Sequence, residues 1–110
     1  MLFRSKPSTH EIVSAFEIEK STSIYSGILR MEDLAHSIPG CTCRFYLVAP
    51  ERCEKEAMAQ LARPAFRTEL AGIPFAFIPF GDLCRHCDTL CRFGEDHTIL
   101  QRIARRPAAL

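Results

Sequence analysis

The sequence predicts an α/β domain with a mainly parallel sheet and flanking helices. Three observations carry that reading. Segments of strand-like composition alternate with segments of helical period along the 110 residues. The middle strand-like run, Cys43 to Ala49 (CRFYLVA), is almost continuously apolar, as expected of a strand buried on both faces. Proline and glycine punctuate the boundaries between segments.

Taken in order, Met1 to Arg4 is a short apolar start, and Ser5 to Glu11 is turn-like around Lys6-Pro7-Ser8-Thr9. Ile12 to Glu19 (IVSAFEIE) is rich in β-branched and aromatic residues and reads as a strand. The first two strands can pair as an antiparallel N-terminal hairpin across Ser5–Glu11. Lys20-Ser21-Thr22-Ser23 supplies hydroxyl caps for a helix over Ser23–Ser37. Its apolar positions are Ile24, Ile28, Met31 and Leu34 or Ala35, and Pro39-Gly40 ends it. Pro50 to Ala62 reads as a helix with Met58, Leu61 and Ala62 on its apolar side, stopped by Arg63-Pro64. Ile73 to Phe80 (IPFAFIPF) is a third strong strand, which Pro74 and Pro79 confine to a start, an end or an edge. Gly81 or Asp82 opens a helix to about Phe93, closed by Gly94. Glu95 to Arg106 forms a last helix. The expected division is an α/β unit over 1–94 and a C-terminal helix with a basic tail over 95–110.

A chain of this length can bury one core without disulfide staples. Its hydrophobic fraction of 47% and charged fraction of 25% exclude a disordered chain. No apolar run approaches the roughly 18 residues needed to cross a bilayer, so no membrane partner is expected. The start, MLFRSKPSTHE, does not have the pattern of a secretory signal, which makes the cytoplasm the expected location. There the six cysteines should be reduced thiols. A net charge of +1 argues against a broad basic nucleic-acid surface but leaves room for a local one. Neither a Ser/His/Asp order nor a Gly-rich phosphate loop is present, so triad hydrolases and nucleotide binders have no support.

The chemistry concentrates in Phe16-Glu17-Ile18-Glu19. Alternate strand residues share a face. One face therefore carries Ile12, Ser14, Phe16 and Ile18, and the other Val13, Ala15, Glu17 and Glu19. The second face begins apolar and ends with two acids at the carboxyl end of the strand. Two ionised carboxylates side by side on a buried strand are costly. A divalent cation removes that cost, and all-oxygen ligands suit Mg²⁺ or Mn²⁺. The competing explanation is that Glu19 reaches solvent and Glu17 pairs with a nearby arginine such as Arg30.

The stretch AFEIEKSTSIYSGILRM, with FYLVAP and LARPAF after it, closely resembles a branch of the PD-(D/E)XK nuclease superfamily, which includes restriction endonucleases. The resemblance covers about residues 10 to 93, and AFEIEKST is its specific part. It implies a restriction-endonuclease-like core and Mg²⁺-dependent cleavage of DNA phosphodiester bonds. It places the acidic catalytic and metal-binding position on Glu17 and the third position on Glu19, an E-x-E variant. Ser21, Thr22 and Arg30 match the same stretch and would serve the phosphate. Ser21 and Thr22 begin a helix, whose N–H groups favour an anion, although capping alone also explains them. Arg30 could reach either the carboxylates or the phosphodiester. Lys20 falls on the opposite face and does not replace the superfamily's usual lysine.

One departure from the pattern matters. The superfamily carries an Asp on the preceding strand, and the one acid before Glu17 here is Glu11, in the turn. Met1–Arg4 resembles that strand with its front end missing. The resemblance thus implies an N-terminally truncated, incomplete nuclease domain, inactive by itself. Upstream sequence or a partner would supply the missing Asp, and an upstream DNA-recognition domain or a homodimer is the expected partner beside DNA. The alternative is a non-catalytic DNA- or protein-binding remnant of the same fold.

Cys84, Cys87 and Cys91 recur at i, i+3 and i+7, one face of a single continuous helix. Buried, reduced thiols packed on Ile73–Phe80 are the expectation. A zinc module would need them joined by His86, His97 or Cys41, and the spacing lacks a second C-x-x-C. His10, His36 and His97 fit solvated positions. Arg102, Arg105 and Arg106 could touch a phosphate backbone but fit a solvated helix face better.

Overall fold

The computed structural model describes residues 2–5, 12–19, 24–38, 40, 43–69, 73, 75–88 and 98–106. It is an α/β fold. Strand β1 (Leu2–Ser5) pairs antiparallel with β2 (Ile12–Ile18). Strands β3 (Arg44–Ala49) and β4 (Phe75–Pro79) follow, and β2, β3 and β4 are mutually parallel. The sheet order is β1-β2-β3-β4. The expected N-terminal hairpin and mainly parallel sheet are both present.

Helix α1 (Ile24–Ser37) carries the chain from β2 to β3. Its buried residues Ile24, Gly27, Ile28, Met31 and Ala35 form one stripe, the spacing the sequence displays. Ser37 Oγ donates to the Leu34 carbonyl at 3.0 Å, and Gly40 takes φ +64°, a left-handed turn that glycine adopts at least cost. After β3, a 3₁₀ turn (Glu51–Cys53) leads into α2 (Glu54–Leu61), so the expected helix from Pro50 is shorter and starts later. Arg63-Pro64 does end α2, but Pro64 also opens a second short helix, α3 (Pro64–Glu69). Proline fits the first helical position because its missing N–H would have no partner there.

Helix α4 (Phe80–Arg85) departs directly from the end of β4. It stops at Arg85, with His86 outside the helical region at φ −108°, ψ 12°. The expected continuous helix to Phe93 is therefore not formed. Helix α5 (Thr98–Ile103) lies within the expected last helix. Beyond it the chain turns extended: Phe77 N donates to Arg105 O at 2.8 Å and Arg105 N to Phe77 O at 2.7 Å. This antiparallel bridge occupies the outer edge of β4.

The sheet separates two apolar layers. On one face Ala15, Phe45, Leu47, Ala49, Phe75 and Phe77 pack with Ile24, Ile28, Met31, Ala57, Leu61 and Phe66 from α1, α2 and α3. On the other, Phe16, Tyr46, Val48, Ala76 and Ile78 pack with Leu100, backed by Leu83 and Ile103. The central strand β3 thus feeds both layers, as its unbroken apolar run requires. Among the described residues no helix is long and apolar enough to cross a membrane.

Candidate functional site

The site begins where β2 ends. Ala15 and Glu17 face the α1 layer, with Ala15 fully buried and Glu17 5% exposed. Glu19 lies one residue past the last strand residue, yet its N–H still donates to Val48 O at 2.9 Å. The ladder continues through Glu19, so its side chain keeps the face of Glu17. The two acids stand side by side at the carboxyl end of the sheet, as the alternation predicts.

Arg30, from α1, joins them. Its Nε donates to Glu17 Oε1 at 2.9 Å, and its Nη2 donates to Glu19 Oε1. Neighbouring nitrogens of one guanidinium therefore hold the two carboxylates together. The exposure across the cluster is uneven: the side chain of Arg30 is 50% exposed, that of Glu19 15% and that of Glu17 6%. Of the two explanations open for Glu17, pairing with Arg30 is the one this structure displays. It leaves one oxygen over. Glu17 Oε2 is buried and has no hydrogen-bond partner. A buried carboxylate oxygen without a partner is an uncompensated cost.

The helix approaches the acids this closely because of Gly27. A Cβ built there would lie 3.1 Å from Leu47 Cδ1, 3.2 Å from Glu17 Cγ and 3.3 Å from Glu19 Cγ. All three are tighter than the usual carbon contact of about 3.5–4.0 Å. Gly27 is a positioning residue that reading by residue type passed over. The signal was available: it sits mid-helix between Ile24 and Ile28, where glycine costs helix stability and therefore implies a packing reason.

Beside the acids, Ile18, Glu19, Pro50 and Phe80 line an open cleft. They lie at the carboxyl ends of the three parallel strands: Ile18 ends β2 and Glu19 follows it, and Pro50 and Phe80 follow β3 and β4. Ile18 and Phe80 are unusually exposed for apolar residues, at 37% and 45%.

The donor set suits a small hard cation. Mg²⁺ is commonly held by one or two carboxylates, with water and substrate phosphate completing its shell. Glu17 and Glu19 offer two carboxylates on one face, and Glu17 Oε2 is a buried oxygen without a donor. Among the described residues no group of three or more His, Cys, Asp or Glu converges as a metal site. Ser21 and Thr22 lie outside the described residues.

The cysteine expectation does not hold for the residues described. Cys84 and Cys87 are exposed, whereas Cys43 and Cys53 are buried. The physical reason lies in α4 and its end at Arg85. Cys84 lies within α4, which has no buried residue and meets the apolar layer through Leu83, so its thiol is on the outer side. Cys87 falls past the break at His86, where the i, i+3, i+7 face of an unbroken helix no longer holds. Cys41, Cys91 and His97 lie outside the described residues. Arg105 is likewise not on a solvated helix face: its guanidinium bonds Glu54 and reaches Asp82 at 3.4 Å. Arg102 and Arg106 are exposed.

Residues 7–99 match the family model described as the C-terminal domain of the type II restriction enzyme NmeDI. No curated protein and no solved structure matches the chain.

Proposed function

The chain belongs to the family of the type II restriction enzyme NmeDI C-terminal domain, and from that premise we propose that it is a DNA-acting domain built for Mg²⁺-dependent cleavage of phosphodiester bonds. The site would be of the PD-(D/E)XK kind in an E-x-E form, with Glu17 and Glu19 as its acidic residues. One observation carries the reading. Two carboxylates share a face at the carboxyl end of a parallel sheet, and one buried oxygen, Glu17 Oε2, is without a partner. Acids in that place are expensive for a fold and useful for a cation.

Glu17 and Glu19 would hold a Mg²⁺ or Mn²⁺ ion. Bound there, the ion would supply charge for a phosphoryl oxygen and acidify a water. The chain's own residues do the rest. The β2–β3 ladder fixes the spacing of the acids through the Glu19–Val48 hydrogen bond. Gly27 sets the distance of α1 from them. Arg30 carries a positive charge at the mouth of the site and, half exposed, would meet a phosphodiester oxygen there. Ser21 and Thr22, ahead of α1, would add backbone and hydroxyl donors to the same phosphate. The acid pair is two ligands of a catalytic set, and a third acid would come from a segment joined to this chain or from a partner. DNA bound at the cleft would lie against Ile18, Pro50 and Phe80.

A second reading is favoured by Arg30. Its guanidinium engages both acids, so the cluster could serve solely as a structural ion triad in a non-catalytic DNA- or protein-binding domain.

Calorimetric titration with Mn²⁺ separates the two. Binding by the wild-type chain, lost in Glu17→Gln, is the expected result. The chain alone should nick supercoiled plasmid poorly in Mg²⁺. A version carrying an acid-bearing segment ahead of β1 should nick it, and Glu17→Gln should abolish that activity. Absence of Mn²⁺ binding, or nicking that survives Glu17→Gln, overturns the catalytic reading.

A further inference from the structure

We propose that Arg30 is an exchangeable counter-cation, occupying the carboxylate face that a divalent ion would take and leaving both acids when the ion binds. The proposal rests on the metal-binding reading above and adds to it the role of one side chain.

Three features of the cluster support exchange rather than addition. The guanidinium already uses one oxygen of each acid, Glu17 Oε1 and Glu19 Oε1. A divalent ion held by the same two carboxylates would share them with that guanidinium, and like charges brought together in a partly buried site repel. The second feature is charge balance. One guanidinium faces two carboxylates, which leaves a net negative charge and an unpartnered buried oxygen, Glu17 Oε2. A divalent ion balances the two charges fully, which one guanidinium does not. The third is exposure. Arg30 is half exposed while Glu17 is almost fully buried. The arginine can therefore swing into solvent by rotating its own side chain, without moving β2 or α1. The acids cannot leave.

The exchange gives Arg30 two positions. Without the ion it offsets part of the acids' charge at a point where the buried Glu17 and the partly buried Glu19 would repel. With the ion it is released toward the mouth of the cleft, where a phosphodiester would arrive. Metal affinity is then a difference between two cations competing for one pair of acids. A like charge removed from a shared site is felt as roughly ten- to a hundredfold in affinity.

The test is Mn²⁺ titration by calorimetry on the wild-type chain, Arg30→Gln and Arg30→Lys, with melting followed in chelator and in Mn²⁺. Arg30→Gln should bind Mn²⁺ roughly ten- to a hundredfold tighter than wild type. It should melt lower in chelator and recover more on Mn²⁺ addition. Arg30→Lys retains a charge but cannot bridge both acids with one planar fork. It should fall between the two, and it keeps the test decisive should Arg30→Gln not fold. As an independent readout, the Arg30 Nε–H resonance of the wild type should lose its hydrogen-bonded shift on adding Mg²⁺. Equal or weaker Mn²⁺ binding in both variants, beside measurable binding by wild type, overturns the exchange and leaves the metal reading standing. Absence of binding in all three proteins overturns both.

Discussion

Replacing Gly27 by alanine sets two known effects against each other at one position. Alanine in a helix interior is favoured over glycine by about 1 kcal/mol. Against that stands the space. The new methyl would sit 3.1 Å from Leu47 Cδ1, 3.2 Å from Glu17 Cγ and 3.3 Å from Glu19 Cγ. Each contact is short of the optimum by a few tenths of an ångström, and the three close on it together. Leu47 is fully buried, and Glu17 and Glu19 are both tied to Arg30, so none of the three yields without disturbing another contact. Overpacking of this kind costs about 1–3 kcal/mol. With about 2 kcal/mol taken for the clash, the balance is a net loss of about 1 kcal/mol. For a domain of this size that lowers the melting temperature by about 4–8 °C. Urea denaturation of both proteins measures it, the midpoint falling while the slope stays constant. Mn²⁺ binding should weaken in parallel, because the acids must spread to admit the methyl. A stabilised Gly27→Ala protein, or one that binds Mn²⁺ as wild type does, would refute the close approach of α1 to the acid pair.

Two further outcomes follow from the rest of the fold. Arg105→Ala should cost at most about 1 kcal/mol, because its ion pairs to Glu54 and Asp82 are partly exposed. Arg105→Pro should cost clearly more, since it also removes the N–H that donates to Phe77 O at 2.7 Å. Equal losses in chemical denaturation would mean that the backbone bridge contributes nothing. Cys84→Ser and Cys87→Ser should each stay within about 0.5 kcal/mol of wild type. Cys53→Ser, which buries a hydroxyl, should cost about 1–3 kcal/mol. A large loss at Cys84 would show that its thiol is packed.

What the sequence made legible was whatever depends on local period. The alternation of Ile12–Glu19 assigned Glu17 and Glu19 to one face, and the stripe of α1 fixed which side met the sheet. What it concealed depends on where periods break or on distant pairing. The cysteine spacing presumed a helix that ends at Arg85. Pro64 reads as a stop when its local role is to start the next helix. The bridge between Arg105 and Phe77 joins backbone atoms of residues far apart in sequence, which no local pattern encodes. Arg30 was within view as a partner of Glu17. The sequence also allowed it to reach both carboxylates; that one guanidinium bonds the two at once depends on the rotation of α1 over β2, a tertiary quantity.

The ion cluster itself argues that stability is not its purpose. Burying a carboxylate such as Glu17 costs desolvation that a half-exposed partner repays only in part, and well-packed apolar residues in place of buried ions are often as stable or more so, by about 1–4 kcal/mol. The surroundings here are apolar and could accept such residues: Ala15, Leu47 and Ile28 all lie in the same layer, fully buried. The fold nevertheless keeps two acids at this place, leaves one oxygen of Glu17 unsatisfied, and thins α1 to a glycine to make room for their stems. Each of those features works against the stability of a free-standing α/β domain. Each is also what a site requires if it must hold negative charge ready, at fixed spacing, beside the open carboxyl end of a parallel sheet. Arg30 fits the same account, because a half-exposed guanidinium keeps the acids tolerable for folding while remaining able to leave them.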